Sequence, residues 1–174
     1  MEIFYGPDVC LKEDTVVAFG KFDGLHEGHL RLIGEMCEIA KERGLKSVVY
    51  TFDRNPRAFL SGIDLAHLIS IEEKNKRLEE LGVDIVVYDR FDEKFSQISP
   101  EDFVKEVLLN HLRMKAVVMG SNSTFGKSGA GNISMMKNFG EKYHFFVKET
   151  ELLYKEGKVV CSSSLRAENL SKLG

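Results

Sequence analysis

The sequence predicts an α/β fold: a doubly wound, mostly parallel sheet with a small hairpin and a helix at its carboxyl end. Two observations carry this. Short β-branched and aromatic runs alternate with longer amphipathic runs along the chain. The first clear pair of such runs is joined by a helical stretch, which makes a β-α-β unit with parallel strands and a right-handed crossover. At 174 residues the chain reads as one domain, 1–174, long enough to bury roughly 70% of its unfolded surface.

The elements follow in order. Glu2 to Tyr5 reads as a short edge strand, and Thr15 to Phe19 as the first clear strand. Leu30 to Arg43 is a helix with Leu30, Ile33, Cys37 and Ala40 at helical spacing, and Gly44 suits the left-handed position that ends it. Ser47 to Phe52 is β-branched and aromatic, hence a strand. Ser70-Ile71-Glu72-Glu73 is a capping box opening a helix that ends near Gly82. Ile85 to Tyr88 is the next strand. Ser99 caps and Pro100 opens a helix running to about Leu112, with Phe103, Val107 and Leu108 inward. Ala116 to Met119 is a strand, Asn132 to Phe139 a helix closed by Gly140, and Tyr143 to Val147 a strand. Leu152 to Tyr154 and Lys158 to Cys161, joined at Glu156-Gly157, form a hairpin. A last helix follows Ser162-Ser163-Ser164 and reaches Leu173.

Composition narrows the function. The net charge is −3 and no long run of Lys or Arg occurs, which argues against a duplex nucleic-acid binder. An anionic ligand must therefore be held by local N–H groups and a few cations. Cys10, Cys37 and Cys161 are odd in number and far apart. They match neither a disulfide framework nor a metal pattern, so a reducing cytoplasm is expected. No signal-like segment or apolar run long enough to span a bilayer is present in the sequence, so no membrane partner is expected. The sequence assigns no oligomeric state.

The chain is organised around Gly20-Lys21-Phe22-Asp23-Gly24-Leu25-His26-Glu27-Gly28-His29. An apolar run enters this stretch and an amphipathic run leaves it, so it reads as strand, glycine-rich turn and helix start. Gly20, Gly24 and Gly28 let backbone approach a ligand where a Cβ would clash. The first helical turn leaves N–H groups unpartnered and aimed at whatever sits above. His26 and His29, three apart, fall on one helix face. Two imidazoles beside an anion-binding helix end make a phosphate site with proton-capable donors.

Three further stretches are candidates. Asp53-Arg54-Asn55-Pro56-Arg57 follows a strand, where open α/β sheets bind ligands; a loop with two solvated arginines is an equal reading. Gly120 to Ser128 suggests a phosphate-cradling loop of the form G-x-x-x-x-G-K-S, but five residues separate Gly120 from Gly126 and Gly129 and Gly131 interrupt any following helix. That stretch reads instead as a flexible wall over a ligand. Ser162, Ser163 and Ser164 open a helix, where hydroxyls and free N–H groups suit a phosphate.

The H-x-G-H ending of the first stretch resembles the signature of the nucleotidyltransferase superfamily. The whole ten-residue string is similar to the adenylyltransferase module of prokaryotic FAD synthetases. Thr51-Phe52-Asp53-Arg54-Asn55-Pro56-Arg57 resembles that family's T-F-D-P-H-P-x. Glu73-Lys74, Leu81-Gly82-Val83-Asp84 and Phe91-Asp92 to Phe95 resemble its middle section, and Ile98 to Phe103 its L-S-P-E-x-F. Gly120 to Gly131 resembles G-x-D-F-x-F-G-x-x-x-x-G, and Ser162 to Ser164 the start of I-S-S-T-x-I-R.

The resemblance implies a Rossmann-like α/β/α nucleotidyltransferase fold and the reaction ATP + FMN → FAD + pyrophosphate, with Mg2+ carried mainly on phosphate oxygens. It implies His26 and His29 as phosphate donors in catalysis. It implies Gly20, Phe22, Asp23, Gly24, Gly28, Gly120, Ser162, Ser163, Ser164 and Arg166 around the nucleotide. Asp53, Asn55, Pro56, Arg57, Asn122, Ser123, Phe125 and Gly126 would border the flavin. No protein residue is assigned to the metal. The chain departs from the family at three places: Arg54-Asn55-Pro56 replaces P-H-P, Ser123 replaces an aromatic, and Ala167 holds the place of the final arginine while Arg166 lies one residue early. The family's riboflavin kinase module has no counterpart here, so riboflavin phosphorylation is not expected. Two rival readings remain: a nucleotidyltransferase for another phosphorylated acceptor, and a nucleotide- or flavin-binding paralogue without catalysis.

Overall fold

The computed structural model describes residues 1–6, 9–22, 25, 27–52, 71–90, 93–151, 153–155 and 158–160, the last two stretches as backbone. Its main sheet contains β1 (Glu2–Tyr5), β2 (Thr15–Phe19), β3 (Lys46–Phe52), β4 (Ile85–Asp89), β5 (Met114–Gly120) and β6 (Phe146–Thr150). The strand order is β1-β4-β3-β2-β5-β6, and every pairing is parallel. α1 (Glu27–Arg43) joins β2 to β3, and α2 (Ile71–Glu80) precedes β4. The short α3 (Glu93–Ser96) and then α4 (Pro100–Asp102), which continues as a π-helix over Phe103–His111, lead into β5. α5 (Ile133–Tyr143) joins β5 to β6. β7 (Leu153–Lys155) and β8 (Lys158–Val160) pair antiparallel as the expected hairpin. The helix expected after Ser164 and the capping serine Ser70 lie outside the described residues.

The central strands are apolar on both faces because both faces are covered, as all-parallel sheets require. Val16, Ala18, Val49, Val86, Ala116 and Val118 pack against Leu32, Ile33, Met36 and Ala40 of α1 and Leu78 of α2. Val17, Val48, Tyr50, Val87, Val117 and Met119 pack against Phe103, Val104 and Leu108 of the π-helix and Met136 of α5. Three layers result, as expected.

Helix termini follow the sequence signals at Ser99 and Gly44 and depart from them at α5. Ser99 Oγ accepts the Asp102 N–H at 3.1 Å, and Gly44 closes the turn after α1 with φ 66°. The exception is α5, expected to end at Gly140. It runs through Gly140 to Tyr143, and His144 takes the left-handed cap at φ 62°. Gly140 answers a packing need instead: a Cβ there would stand 2.9 Å from the Phe145 carbonyl oxygen and from Val147 Cγ2. The following strand therefore starts at Phe146 rather than Tyr143.

The topology places a candidate ligand site. From β2 the chain steps outward through β3 to β4, then returns to lay β5 on the other side of β2. The reversal leaves a crevice outside the carboxyl ends of β2 and β5, the position where open α/β sheets take their ligands.

Candidate functional site

Two segments emerge at that crevice: the turn after Phe19, leading into α1, and the loop after Gly120. The turn is held from below. Phe22 and Leu25 adopt left-handed backbone angles, φ 49° and 48°, which cost an L-residue roughly 1–2 kcal/mol each. Their side chains are 2% and 3% exposed, sunk into the cluster under α1, and burying such groups contributes about 1.5–3 kcal/mol apiece. Burial therefore offsets the strain. The Phe22 ring faces the core. Gly20, at φ 156°, makes the bend out of β2 in a conformation that side chains disfavour.

α1 starts at Glu27, a turn earlier than the apolar periodicity alone suggests. Gly28 and His29 thus sit in its first turn, where backbone N–H groups have no intrahelical acceptor. The helix dipole adds a partial positive charge there. The His29 ring is half-buried and stands edge-on to Phe22, with centroids 5.3 Å apart and planes at 80°. Phe22 thereby packs one side of the imidazole. Asp23, Gly24 and His26 lie outside the described residues.

The turn is also clamped through one carbonyl. Lys21 O accepts from Thr51 Oγ1 of β3 at 3.0 Å and from Lys74 Nζ of α2 at 3.1 Å. Single-residue sequence reading did not find these supports, although a signal existed. The inner stripe of α2 is Ile71, Lys74, Asn75 and Leu78, with Lys74 and Leu78 buried, so two polar residues occupy a face expected to be apolar.

The loop from Gly120 to Gly131 is built rather than slack, which corrects the expectation of a flexible wall. Phe125 and Gly131 form an antiparallel bridge. The Lys127 N–H donates to Ile98 O at 2.7 Å, and the Ser123 N–H to Gly120 O at 3.1 Å. Lys127–Gly129 make a single 3-10 turn, so the segment does not feed directly into a helix as a phosphate-cradling P-loop would. Gly126, at φ 79°, lies so close to Pro100 that a Cβ would stand 2.8 Å from its nitrogen. Asn122 is exposed and Ser123 half-buried. Phe125 is buried and packs on Phe19 and Phe103 at 5.9 and 5.8 Å. Its ring thus belongs to an aromatic floor under the crevice that includes Phe19, Tyr50, Phe52, Phe95 and Phe103.

Beneath that floor the Tyr50 hydroxyl donates to the Asp89 carboxylate. Burial, and then the Asp89 charge, pushes the Tyr50 phenol well above its ordinary range. This pair is structural, since Tyr50 is almost fully buried between the sheet and the π-helix. Among the described residues no cluster of three His, Cys, Asp or Glu side chains is disposed to hold a metal, and no helix is long and apolar enough to cross a membrane. Asp53, Asn55, Pro56, Arg57, Ser162, Ser163, Ser164 and Arg166 lie outside the described residues. The structure therefore brings Gly20, Phe22, Gly28, His29, Gly120, Asn122, Ser123, Phe125 and Gly126 to the two segments that border the crevice.

Known proteins share this fold. A solved structure titled as a macrolide-efflux protein from Streptococcus pneumoniae superposes with a TM-score of 0.80 at 24% identity, over 92% of this chain and 52% of that one. Pantothenate synthetase from Thermus thermophilus superposes at 0.60 with 16% identity, over 99% and 69%. At these identities the likeness concerns the fold. Sequence relatives named bifunctional riboflavin kinase/FMN adenylyltransferase include one from Buchnera aphidicola of Schizaphis graminum, 33% identical over 90% of this chain and 51% of its own. Another, from Escherichia coli K12, is 31% identical over 89% and 50%. The chain spans about half the length of the curated relatives it matches. The FAD synthetase family model matches residues 10–164, nearly the full length described above, and the chain belongs to the FAD synthetase family.

Proposed function

We propose that this chain transfers AMP from ATP to the phosphate of FMN, giving FAD and pyrophosphate. The observation that carries the proposal is the seat of His29 in the first turn of α1, at the β2–β5 switch point of a chain in the FAD synthetase family. An oxygen of the FMN phosphate attacks the α-phosphorus of ATP. A new P–O bond forms there as the bond to the bridging oxygen of the β-phosphate breaks, and pyrophosphate leaves with the bonding electrons. No covalent enzyme intermediate is needed, so catalysis is positioning plus stabilisation of charge on the phosphates. His29 and the first-turn N–H groups of α1 donate to those phosphates, joined by His26. Gly20, Phe22, Asp23, Gly24, Gly28 and Gly120 let the nucleotide lie against backbone, and Ser162, Ser163, Ser164 and Arg166 hold its outer phosphates. Asp53, Asn55, Pro56, Arg57, Asn122 and Ser123 border the flavin, with Phe125 and Gly126 shaping the wall beneath. Mg2+ enters as MgATP, on phosphate oxygens and water rather than in a protein cage. Cys10 and Cys37 are free thiols, and we place the reaction in the cytoplasm.

Purified protein with ATP, Mg2+ and FMN should release pyrophosphate and FAD in equal amounts, and riboflavin in place of FMN should give neither. One observation favours a second reading: Ser123, half-buried in the crevice loop, offers no ring to a flavin. Turnover with a non-flavin phosphorylated acceptor and none with FMN would select that reading.

A further inference from the structure

We propose that Lys74 is a positioning residue for the nucleotide: its ammonium, buried on the inner face of α2, holds the Lys21 carbonyl and so fixes the turn that carries ATP into the crevice. The inference rests on the adenylyl-transfer reading above, and it begins from an anomaly in α2. The face that meets the sheet runs Ile71, Lys74, Asn75, Leu78, the i, i+3, i+4, i+7 stripe of a packed helix. Lysine and asparagine on such a stripe lose hydration unless specific partners replace it. Both have partners. The Tyr88 hydroxyl donates to Asn75 Oδ1. Lys74, only 6% exposed, lies 5.9 Å from the centroid of the Tyr88 ring and donates to Lys21 O at 3.1 Å.

The acceptor identifies the purpose. Lys21 O belongs to the turn between β2 and α1, 53 residues away in sequence. Its neighbour Phe22 is held at φ 49° and packs one side of the His29 ring. A fixed charge on a neutral carbonyl makes a stronger hydrogen bond than a hydroxyl does, and the Thr51 hydroxyl already serves that oxygen at 3.0 Å. Two donors from two different elements hold one peptide plane. A lysine needed only to stabilise α2 has no reason to reach across to this carbonyl. With the turn fixed before the ligand arrives, ATP does not bear the cost of ordering it.

The test compares K74M, which keeps length and loses the donor, with K74R, which keeps a charged donor. K74M should raise the KM for ATP about tenfold, the scale of one charge-assisted hydrogen bond, while the KM for FMN stays within about twofold by the same reasoning. K74R should recover most of the loss. A readout free of activity runs beside this one. Trypsin cuts after Lys21 only when the turn opens, so native-state cleavage at Lys21 should quicken about tenfold in K74M relative to cleavage elsewhere. Unchanged cleavage and unchanged ATP KM in K74M overturn the proposal, as does an equal rise in both KM values that K74R does not reverse. If K74M does not fold, K74Q, whose shorter neutral side chain does not span to the same oxygen, takes its place: faster cleavage at Lys21 supports the clamp, and unchanged cleavage overturns it. Wild-type protein that makes no FAD would sink the adenylyl-transfer reading alone, and the cleavage rates would still decide Lys74.

Discussion

Replacing Phe22 by alanine and, separately, by glycine separates two quantities that the fold combines at one residue. The ring is buried at 2% exposure, so its loss should cost about 3–5 kcal/mol, as for other core Phe→Ala changes. The backbone stands at φ 49°, where an L-residue is strained by roughly 1–2 kcal/mol and glycine is not. In ordinary backbone, glycine is the less stable of the pair by roughly 0.5–1 kcal/mol. Here the order should invert, with F22G more stable than F22A by about 1 kcal/mol. Domains of this kind have about 5–15 kcal/mol in total, so both variants should unfold at much lower urea than the wild type. The chain has no tryptophan, so urea unfolding should be followed by circular dichroism and tyrosine fluorescence, with matching m-values required before midpoints are compared. Leu25, at φ 48°, allows the same comparison. Turnover adds a second line. Both Phe22 variants lose the ring that packs one side of His29, so activity should fall to a similar extent in each despite their different stabilities. If F22G proves less stable than F22A by the ordinary margin, the left-handed turn does not exist as described, and the account of how His29 is packed fails with it.

His29→Ala should lower kcat by about 10²–10³-fold, the usual cost of one donor to a charged transition state, with little change in melting temperature by calorimetry; a collapse in stability with activity retained would make His29 a packing residue. Gly126→Ala places a Cβ 2.8 Å from Pro100 N at φ 79° and should cost about 2–4 kcal/mol in urea unfolding, from left-handed strain plus overpacking. Stability should fall above pH 10, because the buried Tyr50 and Tyr88 phenols are raised above their ordinary value of 10.0 and keep their protons when folded, while the unfolded chain gives them up. The unfolded state then binds fewer protons, so the contribution present below pH 10 is lost as pH rises. The drop in urea midpoint between pH 8 and pH 11, measured within each protein, should be smaller in Y50F than in wild type.

The strands were legible because parallel strands covered on both faces are written as plain apolar runs. Val16, Val17 and Ala18 of β2 and Ala116, Val117 and Val118 of β5 are all fully buried. The doubly wound parallel sheet followed from the alternation of elements, whereas the strand order, and with it the switch point between β2 and β5, came only from the structure. The first stretch of the site was legible because glycines and histidines crowd a single turn. Gly140 was misread for a physical reason: glycine ends helices by adopting left-handed angles, but it also permits close packing, and sequence does not say which property is in use. Phe125 shows a second use of a glycine that sequence does not announce. Phe125 looks like a ligand contact in a glycine-rich loop, yet Gly131 leaves space that its ring fills, with a built Cβ falling 2.6 Å from Phe125 Cε2.

What sequence periodicity could not supply is the support beneath the site, and that support has a common character. Five residues other than glycine take left-handed angles among those described: Phe22, Leu25, Arg113, Ser128 and His144. Arg113 and His144 sit in the turns that precede β5 and β6, where chain reversal alone explains them. The other three lie in the two segments that leave β2 and β5 at the crevice. Lys74, on a stripe where leucine would be expected, is bonded to the first of those segments, and Gly126 is pressed against Pro100 beside the second. Each of these positions breaks a local rule of propensity or patterning, and local rules are what a reading of one sequence uses. A fold that gathers three of its five left-handed non-glycine residues and a buried lysine around one crevice is stabilising a geometry that the chain would not adopt by itself. By that argument the crevice is the part of the molecule whose shape is under the strictest physical demand, and substitutions that restore the local rule there, such as K74L, should cost nucleotide affinity even where they raise stability.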